Sequence, residues 1–165
     1  MCPSGEILDE MDSAIVASLQ ADGRRSNRDL ASELRVSPST TLERVRRLRR
    51  RGVLTGVHYR VDPAALGRMV QALISVRLRP HSHEVLLGFR EFVTRLPETM
   101  QVFVLTGAED LLVHIAVPST EALREFVLET LTNRREVACV RTDVVLDHDY
   151  TDVIAPARPA RARTD

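Results

Sequence analysis

The stretch SNRDLASELRVSPSTTLERVRRLRRRG, residues 26–52, decides how this chain is read. It contains two helix starts close together. Ser26 is followed three residues later by Asp29, a pairing whose side chains satisfy the free amides at a helix N-terminus. Ser37-Pro38 repeats the signal, because Ser37 can cap and Pro38 suits the first helical position, where no amide hydrogen is needed. Leu30, Ala31 and Leu34 give the first helix a short apolar face, and Thr41, Val45 and Leu48 give the second an inner stripe. Only Arg35 and Val36 lie between the two, and Gly52 is placed for a left-handed cap. Two short helices joined so tightly, the second carrying RVRRLRRR, predict a helix-turn-helix.

Upstream, Leu8, Ile15, Val16 and Leu19 recur at helical spacing, with Asp12, Ser18 and Gln20 assigned to the polar side, so a further helix should end before Gly23. Downstream, VLTGVHYRVD (residues 53–62) is rich in β-formers and suggests a small wing or connecting strand. Asp62 to Gly67 reads as a hinge or a single helical turn. From Val70 the period changes to two: Ala72, Ile74, Val76 and Leu78 alternate with Gln71, Ser75, Arg77 and Arg79 until Pro80. A helix marked by Val85, Phe89, Phe92, Val93 and Leu96 stops at Pro97. Strands at 101–106 and 111–117 flank the turn Thr106-Gly107-Ala108-Glu109-Asp110. A helix starting at Ser119 or Thr120 and a strand from Val137 to Leu146 complete a βαββαβ order, an α+β ferredoxin-like sandwich. The expected division is residues 1–62 as a winged helix-turn-helix DNA-binding domain, 63–69 as hinge, 70–150 as the ferredoxin-like domain, and 151–165 as disordered tail.

Composition fits a two-domain chain. With 165 residues and 44% hydrophobic content it can bury two small cores. No apolar run is long enough for a membrane span, and the N-terminus lacks a signal-peptide pattern, so no membrane partner and a cytoplasmic location are expected. Cys2 and Cys139, the only cysteines, form neither a disulfide framework nor a CxxC metal motif. Net charge is zero, but it is unevenly spread: all 23 basic residues are arginine, and residues 35–60 hold eight of them against the single acid Glu43. That local excess suits phosphate contact.

Together these segments resemble the Lrp/AsnC, or feast/famine, regulators. The resemblance is carried by LDEMDSAIVASLQADGRRSNRDLASEL (8–34), by SPSTTLERVRRLRRRGVLTGVHYRVDPAALG (37–67), and by Thr106-Gly107-x-x-Asp110 inside a βαββαβ domain. Two positions depart from the family pattern: Arg35 stands where the inter-helix turn commonly has glycine, and Glu109 replaces a residue that is often aromatic. The resemblance implies a sequence-specific transcription regulator that binds double-stranded DNA and responds to a small metabolite, in particular an amino acid. It also implies a homodimer that assembles to a tetramer or octamer.

In such motifs the start of the second helix enters the major groove. Ser37, Ser39, Thr40, Glu43 and Arg44 are therefore candidates near the bases, Arg46, Arg47 and Arg50 are candidates for phosphate, and Ser26 and Arg28 suit backbone contacts. The turn Thr106, Gly107, Ala108, Glu109 and Asp110, together with Thr142, is the candidate effector site. Asp110 is pictured pairing with an amino acid's ammonium and amides around Gly107 with its carboxylate. As a plain hairpin, the same turn would use Gly107 for positive φ and Asp110 for local amides. His81-x-His83 lacks a matching ligand pair, so no metal is assigned. No nucleotide, hydrolase or dinucleotide fingerprint is present, so no cofactor and no catalytic residue are assigned. The alternative is an enzyme on the same scaffold, as in the siroheme decarboxylases that resemble this family.

Overall fold

The computed structural model describes residues 8–157. They divide into two compact units: the chain up to Tyr59 together with the segment from Asp149, and Arg60–His148.

The first unit holds three helices, each opened by a side-chain cap. Asp9 starts α1 (Glu10–Ala21), its carboxylate accepting the Asp12 amide at 2.7 Å. Ser26 starts α2 (Asn27–Leu34): its hydroxyl accepts the Asp29 amide, and the Asp29 carboxylate accepts the Ser26 amide, both at 3.2 Å. Ser37 starts α3 (Pro38–Arg50), accepting the Thr40 amide at 3.1 Å. Each such cap contributes about 1 kcal/mol. Between α2 and α3, Arg35 adopts the left-handed conformation (φ 56°, ψ 42°) despite its side chain. Gly52 takes φ 71° past the end of α3. Ile15, Leu30, Val45 and Leu48 close the core where the three helices meet.

Two expectations for this unit change. The stretch 53–62 forms no strand, so the helix-turn-helix carries no β-wing among the described residues. β-propensity alone does not make a strand: backbone groups need a neighbouring strand, and none lies beside this stretch within the unit. The C-terminal segment, expected to be disordered from 151, is described as far as Ala157. Ile154 exchanges two hydrogen bonds with the Gln20 side-chain amide, donating to Oε1 at 2.9 Å and accepting from Nε2 at 3.1 Å. The remainder of that expectation lies outside the described residues.

The second unit opens with a 3-10 turn, Pro63–Leu66, capped by Asp62 and ended by left-handed Gly67. Its strands are β1 (Val70–Leu78), β2 (Thr99–Val104), β3 (Leu111–Val117) and β4 (Val137–Val145), paired antiparallel in the order β2-β3-β1-β4. Crossing the sheet are α4 (His83–Thr94) and α5 (Thr120–Glu125), which runs on into a π-helical stretch, Phe126–Thr132. This is the βαββαβ sandwich expected from the sequence. The core joins Ile74 and Val76 of β1, Val113 and Ile115 of β3, Phe89 and Val93 of α4, and Phe126 and Leu131 of the last helical segment. Burying each such side chain stabilises the unit by about 1.5–3 kcal/mol.

Period two places the other set of residues on the opposite face. There Ser75 lies between Leu112 and Arg141, and Leu73 between His114 and Asp143. His114 is buried in this face, with Nε2 3.0 Å from Gln71 Oε1 and its ring edge-on to His148. Burial, and then the neighbouring His148, push its pKa below the ordinary histidine value.

Candidate nucleic-acid interface and effector pocket

The buried stripe of α3, Thr41, Val45 and Leu48, fixes which side chains of that helix can meet a partner. At about 100° per residue, Ser39, Glu43, Arg46 and Arg50 fall on the face directly opposite, with Thr40 and Arg47 on one flank. Ser39, Thr40, Glu43, Arg46 and Arg50 are all exposed. Arg28 and Ser26 on the preceding helix are exposed as well. The Ser37 hydroxyl is committed to its cap and stands 2.8 Å from both Ser39 Oγ and Thr40 Oγ1.

Arg44 behaves otherwise. It lies on the flank nearest the buried stripe, and its Nη1 donates to Asp9 Oδ2 at 2.7 Å and to Asp12 Oδ1 at 2.8 Å. Arg47 Nη2 donates to the second Asp12 oxygen at 2.6 Å, and Arg51 lies 4.0 Å from it. Asp12 is only 1% exposed, so the acid assigned by sequence to the polar side of α1 is an interior group with its charge matched by α3. The Arg44 hydrogen bond, followed by the Asp12 amide, holds the Asp9 carboxyl below the usual carboxylate range, and the two acids raise Arg44. In this structure the Arg44 guanidinium, expected near the bases, joins α3 to α1. Arg47 shares that task but keeps 44% of its side chain exposed. The sequence carried a signal for this, because Asp12 falls between Leu8 and Ile15 on the apolar spacing, and an acid there needs a buried cation.

In the second unit the turn after β2 separates two open pockets. One, of about 420 Å³, is lined by Arg77, Leu78, Arg79, His81, Gly107, Ala108 and Asp110. The other, of about 550 Å³, is lined by Val104, Leu105, Thr106, Gly107, Ala108, Glu109 and Arg141. Thr106, Gly107 and Ala108 are exposed and Glu109 is half-buried, whereas Asp110 is buried. Both Asp110 oxygens are occupied: Oδ2 accepts the Leu78 amide at 2.7 Å, and Oδ1 lies 2.8 Å from His81 Nδ1. The free carboxylate pictured for a ligand ammonium is thus used to tie the turn to β1. Gly107 does not take positive φ, and a methyl group on it would meet nothing within 4 Å, so its glycine leaves open space above the turn. Thr142 pairs with Ile74 and shares the helix-covered face, away from both pockets, while its neighbour Arg141 lines the larger of the two. Arg141 and Arg77 were missed by sequence reasoning. The strand alternation, counted from buried Ile74, would have selected Arg141 over Thr142.

Comparison with known proteins resolves what this combination is. Residues 8–49 match the AsnC-type helix-turn-helix domain, and residues 71–152 match the Lrp/AsnC ligand binding domain. The chain belongs to the Lrp/AsnC family. It is 38% identical over 141 residues to the HTH-type transcriptional regulator AldR of Mycolicibacterium smegmatis, spanning 86% of this chain and 82% of that one. With Transcriptional regulator AzlB of Bacillus subtilis it shares 31% over 152 residues, 92% of this chain and 97% of the other. Among solved structures, a transcriptional regulator from Neisseria meningitidis in complex with L-Met superposes with a TM-score of 0.80 at 29% identity, covering 89% of this chain and 96% of that one. This Lrp/AsnC protein is accordingly a helix-turn-helix transcription regulator.

Proposed function

We propose that this regulator docks the start of α3 in the major groove of double-stranded DNA, with Ser39, Thr40 and Glu43 nearest the bases. Arg46 and Arg50, with Arg28 and Ser26 on α2, neutralise or bond phosphate. The observation that carries this reading is the exposed stripe on α3 directly opposite its buried one, with Arg44 drawn away by Asp12. The chain acts as a regulator in the cytoplasm and not as an enzyme. It works as a homodimer joined through its second unit and assembling further to a tetramer or octamer, and an amino acid bound beside the turn 104–110 shifts its assembly or its DNA affinity. The L-Met complex of the Neisseria meningitidis relative supports that choice of effector.

Gel shifts on the DNA upstream of the chain's own coding region, across a salt series, test the DNA reading. Arg46→Ala and Arg50→Ala should each flatten the slope of log affinity against log salt by about 0.9, the value for one phosphate contact. Unchanged slopes in both would remove these residues from the interface. Repeating the shifts with the common amino acids tests the effector.

A further inference from the structure

Glu43 is the only acid on α3, set on the exposed face with Ser39 a turn before it and Arg46 and Arg50 after it. Its natural partner along the helix is Arg47, because an acid one turn ahead of a base is the favoured order for a helical ion pair. Arg47 is instead drawn across to α1, with Nη2 2.6 Å from Asp12 Oδ2 and 3.8 Å from Asp9 Oδ2. Arg44, the next residue, is held by the same two acids. Among the described residues, no ion pair or side-chain hydrogen bond engages the Glu43 carboxylate.

A free carboxylate on a helix that enters the major groove approaches phosphates of its own sign, and it weakens every complex in which it finds no donor. The base edges in that groove offer it two kinds of donor, the N4 amino group of cytosine and the N6 amino group of adenine. Adenine N6 stands beside N7, whose lone pair repels a carboxylate, and this donor-acceptor pair suits an amide side chain instead. Cytosine N4 stands beside a C–H and sets no such acceptor in the way. Ser39 and Thr40, the other exposed groups at this end of α3, carry hydroxyls that both donate and accept, so they tolerate several bases. An acceptor-only group does not.

We infer that Glu43 is a specificity-determining residue: its carboxylate accepts a hydrogen bond from the N4 amino group of one cytosine in the bound site, and the Asp12 clamp keeps it open by holding Arg47 away. This rests on the major-groove reading above and names a base pair that the site must contain. Discrimination is a difference of affinities, and here the rejecting element is the negative charge itself, left against thymine O4 or guanine O6 and N7 when the wrong base is present.

Selection from a random pool of double-stranded oligonucleotides tests it, run with the full chain and with Glu43→Ala and Glu43→Gln. The unmodified chain should enrich sites with cytosine at a fixed position. Glu43→Ala should lose the preference at that position alone, and Glu43→Gln should move it toward adenine. On the enriched duplex, the cytosine is then exchanged for thymine with its matching adenine, or for N4-methylcytosine, which keeps the pairing hydrogen and replaces the groove hydrogen by a methyl group. Either exchange should weaken the unmodified chain about tenfold or more and leave Glu43→Ala nearly indifferent. Random duplex should bind Glu43→Ala more tightly than the unmodified chain, because a charge of the phosphates' own sign has gone. Glu43→Ala weakened on enriched and random duplex alike would mark a merely structural residue and overturn the inference. An unchanged preference at every position, or a Glu43-dependent preference for a base other than cytosine, overturns it too, while an enriched common site keeps the DNA reading standing. Enrichment of no common sequence by the unmodified chain overturns the major-groove reading, and the cytosine assignment with it.

Discussion

Replacing Asp12 by alanine strikes the most heavily used side chain of the DNA-binding unit. Its carboxylate is 1% exposed and takes hydrogen bonds from Arg44 and Arg47 at 2.8 and 2.6 Å. Removing one partner of a fully buried ion pair costs about 3–5 kcal/mol. Here the arginine side chains keep 26% and 44% exposure, so water re-solvates part of the charge they lose. Discounting for that screening gives a loss of about 2–3 kcal/mol. Urea unfolding followed by helical circular dichroism measures it, and a double-mutant cycle with Arg47→Met isolates the pair, with an expected coupling above about 1 kcal/mol. Asp12→Asn should also release Arg44 and Arg47 toward solvent and steepen the salt dependence of binding to random DNA. An Asp12→Ala loss within about 0.5 kcal/mol, the usual range for a surface change, together with no coupling, would refute the clamp.

Arg35→Gly should raise stability by up to about 1 kcal/mol by removing a side chain from left-handed backbone, while Arg35→Ala should gain nothing; equal urea midpoints for both would sink the argument. Gly88→Ala, in an exposed position of α4 where the added methyl meets nothing within 4 Å, should stabilise by about 0.5–1 kcal/mol, and a loss in the thermal melt would contradict that. Because His114 has a lowered pKa in the folded state, the unfolded chain takes up its proton first as pH falls. Its stability contribution is then complete above the unfolded value of about 6.5 and declines as pH drops from there toward the folded value. His114→Gln should shrink this pH dependence of the urea midpoint, and an unaltered profile would place the titration elsewhere.

What could be read in the sequence followed the range of the interactions involved. The caps at Ser26 and Ser37 depend on residues three positions away, and the strand at Val70–Leu78 on a local period of two, so both were legible. Asp12 was misplaced because its meaning lies in arginines 32 and 35 residues further on. The wing failed for the complementary reason: β-formers at 53–62 satisfy a local preference with no strand beside them to complete it. At the turn 106–110 the position between two strands was legible but the side-chain contacts were not. Asp110 turns inward to an amide on β1, and the single-residue step from Thr142 to Arg141 crosses from one face of the sheet to the other. Register of that kind is set by pairing with β1, where the partner of Arg141 is Ser75, 66 residues earlier.

The pairing of Ile154 with Gln20 gives the first unit a discontinuous sequence, begun by the N-terminal helices and finished by the segment after Asp149. During synthesis the three helices leave the ribosome long before Ile154 does, so the unit reaches its complete hydrogen-bonding only after the last strand has been made. A fragment ending at Tyr59 would carry Gln20 with its amide turned to water. A premature stop just beyond β4 would likewise be felt at α1, more than 130 residues earlier in the sequence.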